Sequence, residues 1–258
     1  PCLKRRVDGW VFRLLEEDKV ATSSHFITLT YAPEHVPISS HGYMTLSPKD
    51  LTNFWKRLRL RVSRFDPNLN VRYYACGEYG DARFRPHYHA IVFNVPYEVM
   101  YQDAWTLNDQ LLGNVVVGTV TGDSIAYTCK YMNKPLDTRY FPRDDRVRPF
   151  SRMSKGLGNS YLSDEIVRYH KNHLKQLYLV KRGGFRIAMP RYYRDKIFSD
   201  YEKSRQLQLV ISAMEDWEAS IRLEAARQNT TFEELIEQRN YNEKIVFDRN
   251  IKSRKRDV

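Results

Sequence analysis

Residues 71–79 and 87–94 are rich in β-branched and aromatic side chains, and only the short polar stretch 80–86 separates them. Two strand-formers joined by so short a connection pair with each other as an antiparallel hairpin. A lone hairpin is marginal in water and needs further strands or a packed helix to bury its apolar face. The chain supplies both. Phe26-Ile-Thr-Leu-Thr-Tyr31 alternates as a strand does, and the β-branched run 114–120 reads as another.

Between the first strand and the hairpin, residues 33–42 form a Pro/His/Gly/Ser loop, and Ser47-Pro48 then opens a helix with Ser47 as N-cap and Pro48 in the first turn. Its apolar residues Leu51, Phe54, Trp55, Leu58 and Val62 recur at helical spacing, and Asp66-Pro67-Asn68 ends it. A helix over 98–108 precedes the fourth strand. The cluster Thr121-Gly-Asp-Ser124 opens another helix, which runs to Pro135. The expected fold is therefore α+β: a ferredoxin-like or RRM-like βαββαβ core with an antiparallel sheet and a helix after the fourth strand. Residues 136–190 read as loop-rich. A long helical pattern runs from 192 to 226, and Thr231-Phe-Glu-Glu234 is a capping box for one more helix. We expect a body over residues 1–190 and a C-terminal helical extension over 191–258 with a basic tail.

Charge separates the same two parts. The chain has 258 residues and a net charge of +11. Residues 1–190 hold 28 Lys and Arg against 18 Asp and Glu, a balance of +10, while 191–258 hold 14 against 13. A polyanionic partner, nucleic acid first of all, suits the N-terminal body. The cysteines, Cys2, Cys76 and Cys129, are odd in number and without a CxxC pair, which argues against a disulfide scaffold and suits a reducing compartment. No apolar run approaches the ~20 residues of a membrane span. These features lead to the expectation of a cytoplasmic protein, in a bacterial host if phage-encoded.

His87-Tyr88-His89 heads the second hairpin strand. Residues i and i+2 share a strand face, so both imidazoles can converge on one ion. Glu78 ends the partner strand and can lie beside them, with Asp81 in the turn as the fallback carboxylate. Two imidazoles and a carboxylate suit a divalent cation that keeps positions open for water and a phosphate oxygen. The alternative is a pair of half-buried surface histidines.

The helix after the fourth strand carries Tyr127-Thr-Cys-Lys130-Tyr131-Met-Asn-Lys134, a tandem Tyr-x-x-Lys. Tyr127 and Tyr131 stand one turn apart on a common face. Lys130 and Lys134 sit where they lower the cost of a phenolate and hold phosphate. A free tyrosine, with a pKa near 10, needs such help to act as a nucleophile. The plainer reading is an amphipathic helix with two core tyrosines.

Taken together, these residues resemble the HUH endonuclease superfamily, and within it the rolling-circle replication initiators of microviruses, small phages with circular single-stranded DNA. Phe26–Tyr31 stands as the first motif. Cys76-Gly-Glu-Tyr-Gly80 with Arg85-Pro-His-Tyr-His89 is the second, and Tyr127–Lys134 the two-tyrosine third. Ser151-Arg-Met-Ser-Lys-Gly-Leu-Gly158 is similar to a downstream basic-glycine segment, and the resemblance spans about residues 10–160. It implies that residues 1–190 are a nicking domain with His87, His89 and Glu78 as metal ligands for Mg²⁺ or Mn²⁺. It further implies Tyr127 and Tyr131 as nucleophiles, Lys130 and Lys134 as phosphate contacts, and single-stranded origin DNA as substrate, with a host helicase or polymerase as further partner. Related chains often carry a short cysteine-rich lead. This one starts at Pro1 with only Cys2, so its true beginning is expected upstream. Two other readings compete: an HUH transposase or relaxase, and a non-catalytic RRM-like module that would stack bases on aromatics of its central strands.

Overall fold

The computed structural model of the chain describes residues 2–80, 83–131, 143–180 and 184–254. It opens on a helix absent from the expected order, α1 (Cys2–Asp18), and continues with β1 (Ser24–Thr30), α2 (Pro48–Phe65), β2 (Arg72–Tyr79) and β3 (Pro86–Phe93). A short helix α3 (Val99–Ala104), a small hairpin β4 (Thr106–Leu107) and β5 (Gln110–Leu111), then β6 (Val115–Thr119) and α4 (Gly122–Tyr131) follow. Beyond these lie β7 (Phe150–Met153), α5 (Asp164–Asn172), the hairpin β8 (Tyr178–Val180) and β9 (Arg186–Ala188), and the helices α6 (Arg191–Ile197), α7 (Asp200–Arg227) and α8 (Phe232–Arg254).

The main sheet has the order β6-β1-β3-β2-β7, and each neighbouring pair is antiparallel. Its first four strands are the expected ferredoxin-like α+β core. β7 is an addition, found inside a stretch expected to be loop: four residues without clear alternation gain strand character only by pairing with β2. The same stretch also holds α5 and the β8–β9 hairpin.

Strand alternation divides the core. Ile27, Leu29, Ala75, Tyr88, Ala90 and Val92 face α2 and α3, where α2 buries Leu51, Phe54, Trp55, Leu58 and Val62. Each such burial contributes about 1.5–3 kcal/mol. Ser47 caps α2 by accepting from the Asp50 amide at 3.2 Å, while the Asp50 carboxylate accepts from the Tyr31 hydroxyl at 3.1 Å. Tyr74, Ile91 and Phe93 face the other way, toward Val11 and Leu14 of α1 and Ile125 and Cys129 of α4. Helices thus cover both faces.

The helix expected over 98–108 stops at Ala104. Trp105 is fully buried and its indole donates to the Thr30 carbonyl at 2.9 Å, which turns the chain inward. Asn108 and Asp109 then adopt positive φ (48° and 62°) and fold β4 onto β5.

The glycines of the 151–158 segment serve α1. Gly158 has φ 72°, and a Cβ there would lie 2.5 Å from the Arg13 carbonyl oxygen and 2.7 Å from the Tyr193 hydroxyl. Its amide donates to Glu17, which also pairs with Arg72. A Gly158→Ala protein is expected to lose about 2–4 kcal/mol of stability, combining backbone strain with a clash against main chain. Urea denaturation checks it; an unchanged midpoint contradicts this account of the segment.

The chain divides into two units, Pro1–Arg168 with Leu177–Arg194 and Tyr169–Gln176 with Asp195–Val258. In the second, the helical pattern expected to run unbroken over 192–226 is interrupted. Ser199, extended at φ −67° and ψ 167°, accepts from the Glu202 amide, and the Glu202 carboxylate accepts from the Ser199 amide, a capping box that starts α7 afresh. Thr231 and Glu234 cap α8 in the expected manner, and Ile221, Ala225 and Leu235 join the two long helices.

Candidate functional site

The hairpin register sets Glu78 opposite His87, and Cys76 opposite His89. On β1, Thr28 faces His89 and Thr30 faces His87. Because β3 alternates, His87 and His89 turn to the α4 side while Tyr88 between them enters the α2 core.

One ligand atom from each of Glu78, His87 and His89 lies within 4.8 Å of the others. Glu78 Oε1 stands 2.8 Å from His87 Nε2 and 3.2 Å from His89 Nε2. The imidazoles meet edge to face, with centroids 4.9 Å apart. The other ring nitrogens are held by oxygens behind them: His87 Nδ1 lies 3.1 Å from the Arg85 carbonyl, and His89 Nδ1 lies 2.9 Å from Thr28 Oγ1. The Arg85 carbonyl only accepts, so Nδ1 of His87 carries the proton and Nε2 keeps its lone pair for the cluster. Outer contacts of this kind orient metal-bound histidines.

Glu78 is 3% exposed. Burial alone would raise its carboxyl, but hydrogen bonds from His87 and His89, with their charge, hold it below the ordinary carboxylate value. Its Oε2 is buried with no hydrogen-bond partner among the described residues. A buried carboxylate oxygen without a partner is costly. Beside two converging imidazoles it is the donor set a divalent cation takes, so the residues fit the expected metal.

α4 lies over this cluster. Thr121 and Ser124 cap it reciprocally, the Ser124 amide donating to Thr121 Oγ1 at 3.1 Å and the Thr121 amide to Ser124 Oγ at 2.8 Å. Ile125 and Cys129 seat it on the sheet, and Cys76 Sγ donates to the Thr128 carbonyl at 3.6 Å. Tyr127 is not a core residue. It is 43% exposed, with its ring 5.4 Å from the His89 ring and 6.4 Å from Phe26. Phe26 in turn stacks on His89 at 5.6 Å with 13° between planes. The two nearby cysteines are free and buried. Burial pushes Cys129 up to about 12 and Cys76 higher still, so neither offers a thiolate.

The structure therefore brings Glu78, His87, His89 and Tyr127 together. The backbone of Lys130 and Tyr131 continues α4, but their side chains lie outside the described residues, as do Asp81 and Lys134. Thr28, Phe26 and the Arg85 carbonyl are parts of the site that reading single motifs overlooks. The alternation of Phe26-Ile-Thr-Leu-Thr is the signal for two of them, because it sets 26 and 28 on one face. The aromatic sheet face that an RRM-like module would leave open is covered by α1 and α4. No helix among the described residues is long and apolar enough to cross a membrane.

Fold and site together define an α+β protein with a His-x-His and glutamate cluster on a sheet and a tyrosine-bearing helix above it. Residues 24–136, which contain all three motifs, match the family described as replication-associated protein ORF2. Replication-associated protein ORF2 of Spiroplasma virus 4 is 30% identical over 232 residues, covering 80% of this chain and 71% of that protein. Replication-associated protein VP4 of Bdellovibrio phage phiMH2K is 29% identical over 76% of this chain and 64% of its own length. Replication-associated protein ORF4 of Chlamydia phage 1 is 26% identical over 75% and 51%. The chain belongs to this family of phage replication-associated proteins, in keeping with the resemblance drawn from the motifs. No solved structure matches it.

Proposed function

We propose that this protein initiates rolling-circle replication by nicking single-stranded origin DNA through a tyrosine. The observation that carries the reading is Tyr127 standing beside His89 of a buried Glu78-His87-His89 cluster. Glu78, His87 and His89 would hold Mg²⁺ or Mn²⁺, which when bound supplies Lewis-acid polarisation of the scissile phosphate.

The chain's own residues do the rest. Tyr127 or Tyr131 gives up its phenolic proton and forms an O–P bond at the scissile phosphate. The bond from phosphorus to the 3′ oxygen breaks, and that oxygen takes a proton. The products are a 5′-phosphotyrosine and a free 3′-OH that can prime synthesis. The ester conserves the phosphodiester bond, so a later 3′-OH can reverse the step and close a circle. A second tyrosine one turn away permits a second cut while the first remains linked. Lys130 and Lys134 are assigned to phosphate contact. The chemistry is assigned to residues 1–190, and 191–258 is an accessory helical extension. Membership in a family of phage replication-associated proteins supports the reading.

The test is incubation with Mn²⁺ and a labelled origin oligonucleotide. A denaturant-resistant adduct with a new 3′-OH is expected, and its absence overturns the proposal. Thr28 positions His89 and touches no substrate. A Thr28→Val protein is expected to bind Mn²⁺ roughly 10–100-fold more weakly by titration calorimetry, and unchanged affinity contradicts that role.

A further inference from the structure

α1 lines a cleft of about 400 Å³ with Arg5, Arg6, Trp10 and Arg13, closed on its far side by Arg191 and Tyr192. Arg13 is fixed in its wall: Nε donates to the Leu157 carbonyl at 3.0 Å, and the guanidinium lies 4.1 Å from the Trp10 ring centroid and 3.7 Å from that of Tyr192. Gly9 forms the floor, where a Cβ would meet Pro190 at 3.3 Å. Arg5, Arg6 and Arg191 are exposed at the rim. The described residues that line the cleft bring four guanidinium groups and no carboxylate.

Arginine forks match phosphate oxygens, and aromatic rings accept any base face. A cleft that joins both has the chemistry of a nucleotide within a strand. Its place in the fold agrees. Trp10 packs on Tyr74 at 4.8 Å, and Tyr74 lies on the same face of β2 as Glu78, four residues and so about 13 Å along the strand.

We propose that this cleft is a second anchoring site for single-stranded DNA. It holds a nucleotide away from the scissile phosphate, with Arg5, Arg6 and Arg191 on phosphate and the base against Trp10. The inference rests on the reading of the metal cluster as acting on single-stranded DNA, and its test is independent of cleavage.

The whole chain is titrated with labelled oligothymidylate in EDTA at several salt concentrations, reading fluorescence anisotropy. An Arg5→Ala/Arg6→Ala protein is expected to bind about tenfold more weakly, with the slope of log affinity against log salt reduced by about 1.4, from ~0.7 per single-strand phosphate contact. The comparison is Lys56→Ala/Arg64→Ala, which removes the same charge from exposed positions of α2, packed on the other sheet face. It is expected to change affinity less than about twofold. A bromodeoxyuridine oligonucleotide is expected to cross-link to the Trp10 peptide. Equal losses in both variants, no loss in the α1 variant, or cross-links only elsewhere overturn the site. Competition by free thymidine monophosphate as strong as by the oligonucleotide makes it a mononucleotide pocket and overturns the strand assignment. A wild type that binds in this way but forms no adduct sinks the nicking reading and leaves the cleft standing.

Discussion

A Tyr127→Phe/Tyr131→Phe protein is expected to form no denaturant-resistant adduct with single-stranded origin DNA, whereas the unaltered chain forms one in Mn²⁺. The substitution removes only the hydroxyls that would become the phosphoester. Tyr127 is 43% exposed and meets Phe26 and His89 through its ring, contacts that phenylalanine keeps. The fold should therefore be stable to within about 0.5 kcal/mol, as for ordinary surface changes. Cleavage should fall by at least about 10³-fold, some 4 kcal/mol of transition-state stabilisation at ~1.36 kcal/mol per factor of ten. Neither buried cysteine can substitute, because burial keeps both as thiols. The single variants divide the work. The tyrosine that makes the first cut loses the first adduct when changed to Phe, and the other loses only the second transfer. An adduct of undiminished yield in the double variant would end the tyrosine mechanism.

Replacing Glu78 by Gln is expected to uncouple the protein from its metal while leaving it folded. The amide oxygen still accepts from His87 and His89, and the buried charge is gone, so the apo protein should melt near the wild type. In wild type, Mn²⁺ at ~100 times its Kd adds about 2.7 kcal/mol. That corresponds to roughly 5–10 °C in Tm for a chain of this size. The shift should vanish in Glu78→Gln, with adduct formation down by at least about 100-fold. EDTA treatment of wild type should reproduce both losses. A full Mn²⁺ shift in the variant would show that the ion sits elsewhere.

Much of the core was legible because its signals are local. Leu51, Phe54, Trp55, Leu58 and Val62 recur at helical spacing and all face inward, and the alternation of β1 and β3 sorts their residues between two faces. α1 was not legible as a core helix. Its arginines and its Asp8-Gly9 break the apolar pattern, and they make sense only beside Gly158, Pro190 and the cleft. β7 and the break before α7 escaped for similar reasons: one exists through its partner strand, the other through a single capping serine.

By itself, then, the sequence determined the ferredoxin-like strand order, the hairpin that makes Glu78 and His87 neighbours, and the sharing of a face by His87 and His89. All follow from periods of two and 3.6 residues and from a short loop, which any stretch of chain obeys. Only the tertiary structure decided that Tyr127 stands against His89, that Thr28 and the Arg85 carbonyl fix the two rings, and that α1 turns four arginines and a tryptophan into a cleft. Those arrangements join residues far apart in the chain. Their geometry is set by how the helices pack on the sheet, a property no local spacing contains.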